Sequence, residues 1–347
     1  MKRLHNKVNK ELLKKQLQES NEKRLTLSFY KYYNIGNPNL FRDHLFILFE
    51  KVGVLGRIYI AQEGINAQIS IPAENKAVFK DALEDIIFLR NLRLNYAIED
   101  DGKSFFKLTI KVKHKIVADG LQEGSFDVTD KGTHVDAAKF NELASNEKTV
   151  ILDMRNHYES EVGHFENAIT PDVETFRESL PIIEDMLQDK KDHNLLMYCT
   201  GGIRCEKASA YYKSKGFEKV YQLDGGIIEY ARQVKNKNLE NKFIGKNFVF
   251  DERLGERISE DIIAKCHQCG KVCDTHVNCA NDACHILFIQ CDECGKRYDA
   301  CCSIKCKDFI ILPEEQRSAL RTTIEFNGTK FGKGRYKANR KDEPLEV

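Results

Sequence analysis

An apolar run, Asn194-Leu195-Leu196-Met197-Tyr198, leads directly into Cys199-Thr200-Gly201-Gly202-Ile203-Arg204, and then into Cys205-Glu206-Lys207-Ala208-Ser209-Ala210-Tyr211-Tyr212. The run reads as a short buried strand and the last stretch as a helix, so a six-residue loop joins a strand end to a helix start. A strand feeding a helix in this way belongs to α/β architecture. The loop also has chemistry of its own. Unpaired N–H groups at a helix start and the helix dipole favour negative charge, and two glycines let the backbone curl into a nest of donors. Arg204 adds a permanent positive charge. Cys199 in that setting is expected to have a depressed pKa and to act as a nucleophilic thiolate, although an isolated cysteine at such a turn is also compatible with simple packing.

Two flanking patterns favour the chemical reading. Upstream, Val150-Ile151-Leu152-Asp153-Met154-Arg155-Asn156 is a second buried strand ending in polar residues, followed by Gly163-His164-Phe165-Glu166-Asn167-Ala168. Downstream lies Asp224-Gly225-Gly226. Strand-Asp-x-Arg, Gly-His-x-x-x-Ala, Cys-x-x-Gly-x-Arg and Asp-Gly-Gly, in that order, resemble the rhodanese domain over about residues 130–236. The resemblance implies a central parallel sheet and a persulfide-carrying Cys199, with Asp153 and Arg155 as auxiliary candidates. Related phosphatases use a loop one residue longer. Here Cys205 occupies that position, and the shorter loop suits a single sulfur-sized group better than a phosphate. Cys205 has two readings: a resolving partner for oxidised Cys199, or a packing residue in the first helical turn.

A chain of 347 residues is expected to divide into two or three domains. Twelve cysteines without a signal-peptide pattern point to metal or redox chemistry in a reducing, cytoplasmic setting rather than to a disulfide framework, and no apolar stretch is long enough to span a membrane. Residues 1–24 carry eight Lys/Arg against three Glu and read as a basic arm. Over 25–120 the order strand-helix-strand-strand-helix-strand fits a ferredoxin-like α+β domain, with Phe105–Val112 as the last strand. Lys107, Lys111, Lys113 and Lys115 fall on one side of that strand and its extension. Such a stripe can hold RNA phosphates or simply be a solvated face. Residues 121–133 are polar and linker-like, and Asp136 can cap a helix opening a rhodanese-like domain over 134–238.

Residues 239–312 contain the other ten cysteines. Cys266-x2-Cys269 and Cys291-x2-Cys294 are two knuckles, each followed by glycine, and this spacing lets two thiolates share one tetrahedral ion. The expected arrangement is interleaved: Cys266, Cys269, Cys291 and Cys294 at one zinc, and Cys279, Cys284, Cys302 and Cys306 at a second. His267, His276 and His285 are spare ligands, and an iron–sulfur cluster is the alternative. Residues 313–347 form a basic tail. Between Phe326 and Lys341 it holds six Lys/Arg, no acid and three aromatics. Lys330, Lys333, Arg335, Lys337 and Arg340 are RNA-contact candidates, and Tyr30, Phe105 and Tyr336 are either base-stacking residues or ordinary core or exposed aromatics.

The whole layout resembles the rhodanese-domain family of oxygen-dependent tRNA uridine hydroxylases. The matching stretches are Glu63-Gly64-Ile65-Asn66, Arg155-Asn156-x-Tyr158-Glu159, Cys199 to Lys207, and Asn278-Cys279-Ala280-Asn281-x-x-Cys284-His285. The resemblance implies hydroxylation of the wobble uridine at C5, with molecular oxygen as co-substrate and tRNA as partner. No flavin or nicotinamide fingerprint is present. Two chemical roles for Cys199 are open: oxidation to an oxygen-delivering sulfur species, or addition at uracil C6. The loop alone predicts a sulfurtransferase drawing on a sulfur donor. The hydroxylase instead needs an electron donor. A zinc-stabilised RNA-binding adaptor is the non-catalytic alternative.

Overall fold

In a computed structural model, the structure describes residues 10–20, 22–100, 102–122, 124–328 and 335–345. The basic arm contributes helix α1 (Lys10–Glu19). The next elements are β1 (Arg24–Tyr32), α2 (Pro38–Val52), β2 (Leu55–Ala61), β3 (Gly64–Pro72), α3 (Lys76–Glu84), β4 (Asn95–Tyr96) and β5 (Leu108–Val112). Asn37 caps α2 by accepting from the Leu40 N–H at 3.0 Å, with Pro38 in the first turn, where its missing N–H costs nothing. The sheet order is β4-β1-β3-β2-β5. The final strand of the ferredoxin-like order is therefore the two-residue β4, paired antiparallel to β1, and not the stretch ending at Val112. That stretch is an additional strand on the opposite edge, parallel to β2. The reason is composition: Asn95–Tyr96 is too short to give an alternating pattern, whereas β5 gives a clear one.

Strand alternation divides the sheet into two faces. Leu27, Phe29, Ile58, Ile60, Ala67 and Ile69 point into a core shared with α2 and α3. Thr26, Ser28, Tyr30, Arg57, Tyr59, Asn66 and Gln68 occupy the other face and line a cavity.

The second body begins with β6 (Thr133–Val135), α4 (Ala137–Ala144), β7 (Thr149–Asp153), α5 (His157–Ser160), β8 (Gly163–Phe165) and α6 (Phe176–Met186). It continues through β9 (Asn194–Tyr198), α7 (Ile203–Ser214), β10 (Val220–Leu223) and α8 (Gly226–Lys237). β6-β10-β9-β7 form an all-parallel sheet. Leu195, Met197 and Cys199 face α6 and α7, while Leu196 and Tyr198 face α4 and α8. A strand buried on both sides explains the unbroken apolar run before Cys199. The chain then returns as β11 (Phe243–Asn247), antiparallel to β8, and β12 (Glu256–Arg257). The cysteine-rich body follows, with β13 (His276–Asn278), β14 (Leu287–Ile289), α9 (Asp292–Arg297), α10 (Ile304–Ile311) and α11 (Glu314–Leu320).

Lys207 on α7 joins the first body to the second. It is 2% exposed and pairs with Glu63 at 2.7 Å and Asp119 at 2.5 Å. Glu63 also accepts from the Ile116 N–H, and Lys115 reaches Asp119 at 2.6 Å. Burial works against the Asp119 carboxylate, but the two lysines outweigh it and lower its pKa. Lys207→Met leaves two carboxylates short of a partner at a buried junction. It is expected to cost about 3 kcal/mol, at the low end for breaking a buried pair because Asp119 keeps Lys115. A fall in the urea midpoint of the reduced protein, followed by circular dichroism, checks this. An unchanged midpoint would show that the junction does not depend on the lysine.

Candidate active site

Cys199 sits at the end of β9 and is fully buried. The Gly202 N–H donates to its Sγ at 3.1 Å. Gly202 adopts φ +99°, which turns that amide inward, and a side chain there would meet the Tyr30 hydroxyl at 2.9 Å. Burial opposes ionisation of Cys199. The Cys205 thiol, the Arg204 charge and the backbone N–H groups of Cys205 and Arg204 outweigh it, and bring the pKa down to about 6. Cys205, also fully buried, moves the opposite way: burial and its bond to the Cys199 sulfur push its thiol well up. The neutral Cys205 thiol and the Cys199 thiolate therefore favour one another.

The carbonyls of the loop are held as firmly as its amides. Ile227 N–H donates to Cys199 O at 3.0 Å and Ile228 N–H to Thr200 O at 3.3 Å, so α8 starts against the loop. Gly226 permits this approach: at φ +66°, a Cβ would lie 2.5 Å from Cys199 O and 2.7 Å from Gly201 N. This is the structural basis of the Asp-Gly-Gly pattern.

Arg204 makes a two-pronged ion pair with buried Glu159, at 2.6 and 2.8 Å, and its Nη2 lies 3.4 Å from Thr200 Oγ1. Glu159 also accepts from the Asn156 N–H at 3.0 Å at the start of α5. Part of the Arg204 charge is thus spent on Glu159 rather than on the loop. Asp153 and Arg155 lie behind the site. They pair at 2.6 Å with both side chains fully buried, Tyr198 donates to Asp153 at 2.7 Å, and Arg155 donates to Gly163 O at 2.6 Å. They hold β7, β8 and β9 together and face the aromatic core.

Apart from Tyr30, a base-stacking candidate that serves here as a hydrogen-bond donor, sequence patterns do not single out the residues that the first body brings over the loop. Tyr30 donates to Glu206 at 3.1 Å, and Glu206 also pairs with Lys131 at 2.8 Å and His134 at 2.9 Å. Burial opposes the Glu206 charge, but His134 and Lys131 lower its pKa to about 2. Tyr32 donates to Ile203 O at 3.3 Å, and Asn95 Nδ2 to Gly201 O at 3.4 Å. Between this polar sheet face and the loop lies a cavity of about 400 Å³ walled by Cys199, Arg204, Asn95 and Phe250. It borders a larger cleft of about 1310 Å³, which shares Arg57, Tyr59, Phe105 and Phe250 with it and extends to the cysteine-rich body. Arg57 donates to the Phe250 carbonyl between the two.

The cleft takes in Lys107, Lys111, His285, Arg335 and Tyr336, while Phe105 is buried in its wall. Lys113 is exposed, with its Nζ 5.8 Å from the Tyr59 ring. Lys115 is bound to Asp119 and Leu121 O at the domain junction and does not join the stripe. Arg335 pairs with Asp172 at 2.8 Å, Arg340 with Glu325 at 3.0 Å, and Lys337 is exposed. Tyr336 stacks on Phe288 with 5.6 Å between ring centroids. The tail from Arg335 thus lies against the cysteine-rich body. Lys330 and Lys333 fall outside the described residues.

The cysteine-rich body brings together two sets of four thiols, Cys266, Cys269, Cys291 and Cys294, and Cys279, Cys284, Cys302 and Cys306. Within each set the sulfurs lie within 4.8 Å of one another. Sulfur pairs at 3.6 Å (Cys269–Cys291) and 3.7 Å (Cys284–Cys302, Cys302–Cys306) match the ~3.8 Å edge of a tetrahedron with metal–sulfur bonds of about 2.3 Å. N–H groups of Cys291, Cys302 and Gly328 and the Asn281 and Asn327 amides point at these sulfurs, as the outer partners of a thiolate site do. The three histidines stand apart from both sets. His267 instead pairs with Glu161 at 2.8 Å, tying the first knuckle to the end of α5.

Three family models match the chain: a UPF0176 acylphosphatase-like domain over 24–116, a rhodanese-like domain over 136–233 and a rhodanase C-terminal domain over 244–307. The protein named tRNA uridine(34) hydroxylase from Photorhabdus laumondii is 53% identical over 336 residues, covering 96% of this chain and 95% of that one. Its namesake from Enterobacter sp. is 52% identical over 340 residues, covering 97% of each. Among solved structures, a rhodanese-related protein from Thermoplasma volcanium matches 29% of this chain and 92% of its own, with 19% identity and a TM-score of 0.24.

The depressed Cys199 pKa has a direct readout. Alkylation of Cys199 by iodoacetamide, followed by peptide mass mapping, is expected to rise with pH through a midpoint near 6, because the reactive thiolate prevails above the pKa. Cys205→Ala removes a donor to that thiolate and should move the midpoint up by about one unit. A midpoint above 8 in the unsubstituted protein would contradict the arrangement.

Proposed function

The chain belongs to the tRNA uridine(34) hydroxylase family, and we propose that it hydroxylates the wobble uridine of tRNA at C5, with Cys199 as the reacting thiolate. The observation that carries this reading is the low-pKa Cys199 at the wall of a base-sized cavity that opens into a basic, aromatic cleft. An enzyme acting on a base takes it out of the stack into such a pocket, while phosphates are held outside. Lys107, Lys111, Lys113 and Lys337 are placed to meet phosphates around the cleft, and Arg335 can exchange its carboxylate partners for them.

The chemistry follows from the electronics of uracil. Addition of the Cys199 thiolate at C6 makes C5 nucleophilic toward an electrophilic oxygen. Loss of the C5 proton and departure of the thiolate then restore the ring and the enzyme. With molecular oxygen as co-substrate, one oxygen atom ends on C5 and the other in water, and a separate donor supplies two electrons. Cys205, which stays neutral beside it, favours the ionised form of Cys199. The two thiol quartets suit structural zinc, which would stabilise a segment with few large apolar residues next to the cleft. A tRNA-modifying role places the protein in the cytoplasm. Among the described residues, no helix is long and apolar enough to cross a membrane.

The loop that cradles Cys199 also suits a persulfide, so sulfur transfer to tRNA or a small acceptor is the second reading. Nucleoside mass spectrometry of tRNA from cells lacking the protein separates the two. The expected result is loss of 5-hydroxyuridine-derived nucleosides, restored by the intact chain and not by Cys199→Ser. Loss of a thiolated nucleoside instead would establish the sulfurtransferase. Elemental analysis of the purified protein should find about two zinc per chain, falling to about one in Cys291→Ser, which opens only the first quartet.

A further inference from the structure

The cavity beside Cys199 contains a polar group that the fold leaves unused. Asn95 is 3% exposed, and its Oδ1 has no hydrogen-bond partner among the described residues. An unpaired buried amide oxygen is costly, by about 1–3 kcal/mol, so it persists where a ligand satisfies it. Its position is set from both sides. The backbone pairs with Ser28 in register across β1 and β4. The side chain reaches the Cys199 loop, where Nδ2 donates to Gly201 O at 3.4 Å.

The orientation of this amide decides what it can recognise. Gly201 O can only accept, so the group facing it at 3.4 Å is the NH2, and the other end is an acceptor. One Nδ2 hydrogen goes to Gly201 and the second is free. The amide thus offers the cavity one acceptor next to one donor. The pairing edge of uracil presents the complement: N3–H donates and the adjacent O4 accepts. Cytosine has a lone pair at N3 and an amino group at position 4, so it would set acceptor against acceptor and donor against donor.

We propose that Asn95 is the specificity-determining residue that reads the pairing edge of the flipped uracil, with Oδ1 accepting from N3–H and Nδ2 donating to O4. The inference rests on the proposed tRNA uridine hydroxylation and adds to it the group that selects the base. It also explains why the short β4 belongs to the site: it sets Asn95 opposite the loop, at the edge of a sheet whose polar face covers Cys199.

The test uses the full-length protein and two forms of the same tRNA, carrying uridine or N3-methyluridine at position 34, with hydroxylation read by mass spectrometry. The unsubstituted protein is expected to prefer uridine strongly. Asn95→Ala should lower kcat/KM for uridine roughly ten- to hundredfold, the range for losing one two-point base contact, and should bring the preference over N3-methyluridine close to one. Its affinity for tRNA should stay within about twofold, because phosphate contacts dominate it. Asn95→Ser, with a matched thermal midpoint, serves if the alanine form folds poorly. A purely structural role would slow both substrates alike and leave the preference intact, and that result would overturn the inference while leaving the hydroxylase reading in place. No hydroxylation of either substrate by the unsubstituted protein, with its electron donor supplied as cell extract, would overturn both.

Discussion

Helix α7 carries three charged side chains into the interior, and the arrangement of the three bodies follows from where those charges find partners. Arg204, Glu206 and Lys207 are all buried, in a helix buried from Arg204 to Tyr212. Charges in such a place must be paired, or they cost several kcal/mol each. Arg204 takes Glu159 from α5. Glu206 takes Lys131 from the approach to β6, His134 from β6 itself and Tyr30 from the first body. Lys207 takes Glu63 and Asp119. No single domain satisfies the helix, so the first body is held with its polar sheet face over the Cys199 loop. The cavity is a consequence of that docking.

This dependence also explains which parts of the site could be read in the chain. The Cys199 loop and the thiol quartets are written in local spacing: strand, six residues, helix, and knuckles two residues apart with a glycine behind. The interleaving of the quartets follows the order in which the chain passes β13 and β14 between the knuckles. Asn95, Tyr30 and Glu63 come from residues more than a hundred positions away from Cys199, and no periodicity marks them. Glu63-Gly64-Ile65-Asn66 stood out only as part of a family pattern. Its physical content, a carboxylate for Lys207 beside a glycine at φ +145° packed against Lys31 O, exists only in the folded chain.

The lysine stripe shows the opposite case, a pattern that local alternation suggested and long-range pairing divided. Lys107 and Lys111 reach the cleft, but two steps beyond β5 the chain leaves the strand, and Lys115 turns inward to Asp119. The tail behaves similarly. Its aromatic and basic composition suits RNA, yet Tyr336 packs against Phe288, and the Ile304 N–H donates to Lys341 O at 2.8 Å. Composition counts charges, whereas the fold decides which of them still face solvent.

The contact between the cysteine-rich body and the rest gives that body a place in the chemistry without a reacting group of its own. His267, next to the first knuckle cysteine, pairs with Glu161 one turn beyond the start of α5. The same short helix supplies Glu159 to Arg204. Burial opposes the Glu161 charge, but its bond to His267 keeps its pKa low. A thiol quartet that holds its shape therefore fixes His267, His267 steadies the end of α5, and α5 presents the carboxylate that positions Arg204. On this geometry, a metal ion held by the first quartet would steady the Cys199 loop from a distance. The second quartet, deeper in its own body and away from α5, would bear mainly on stability.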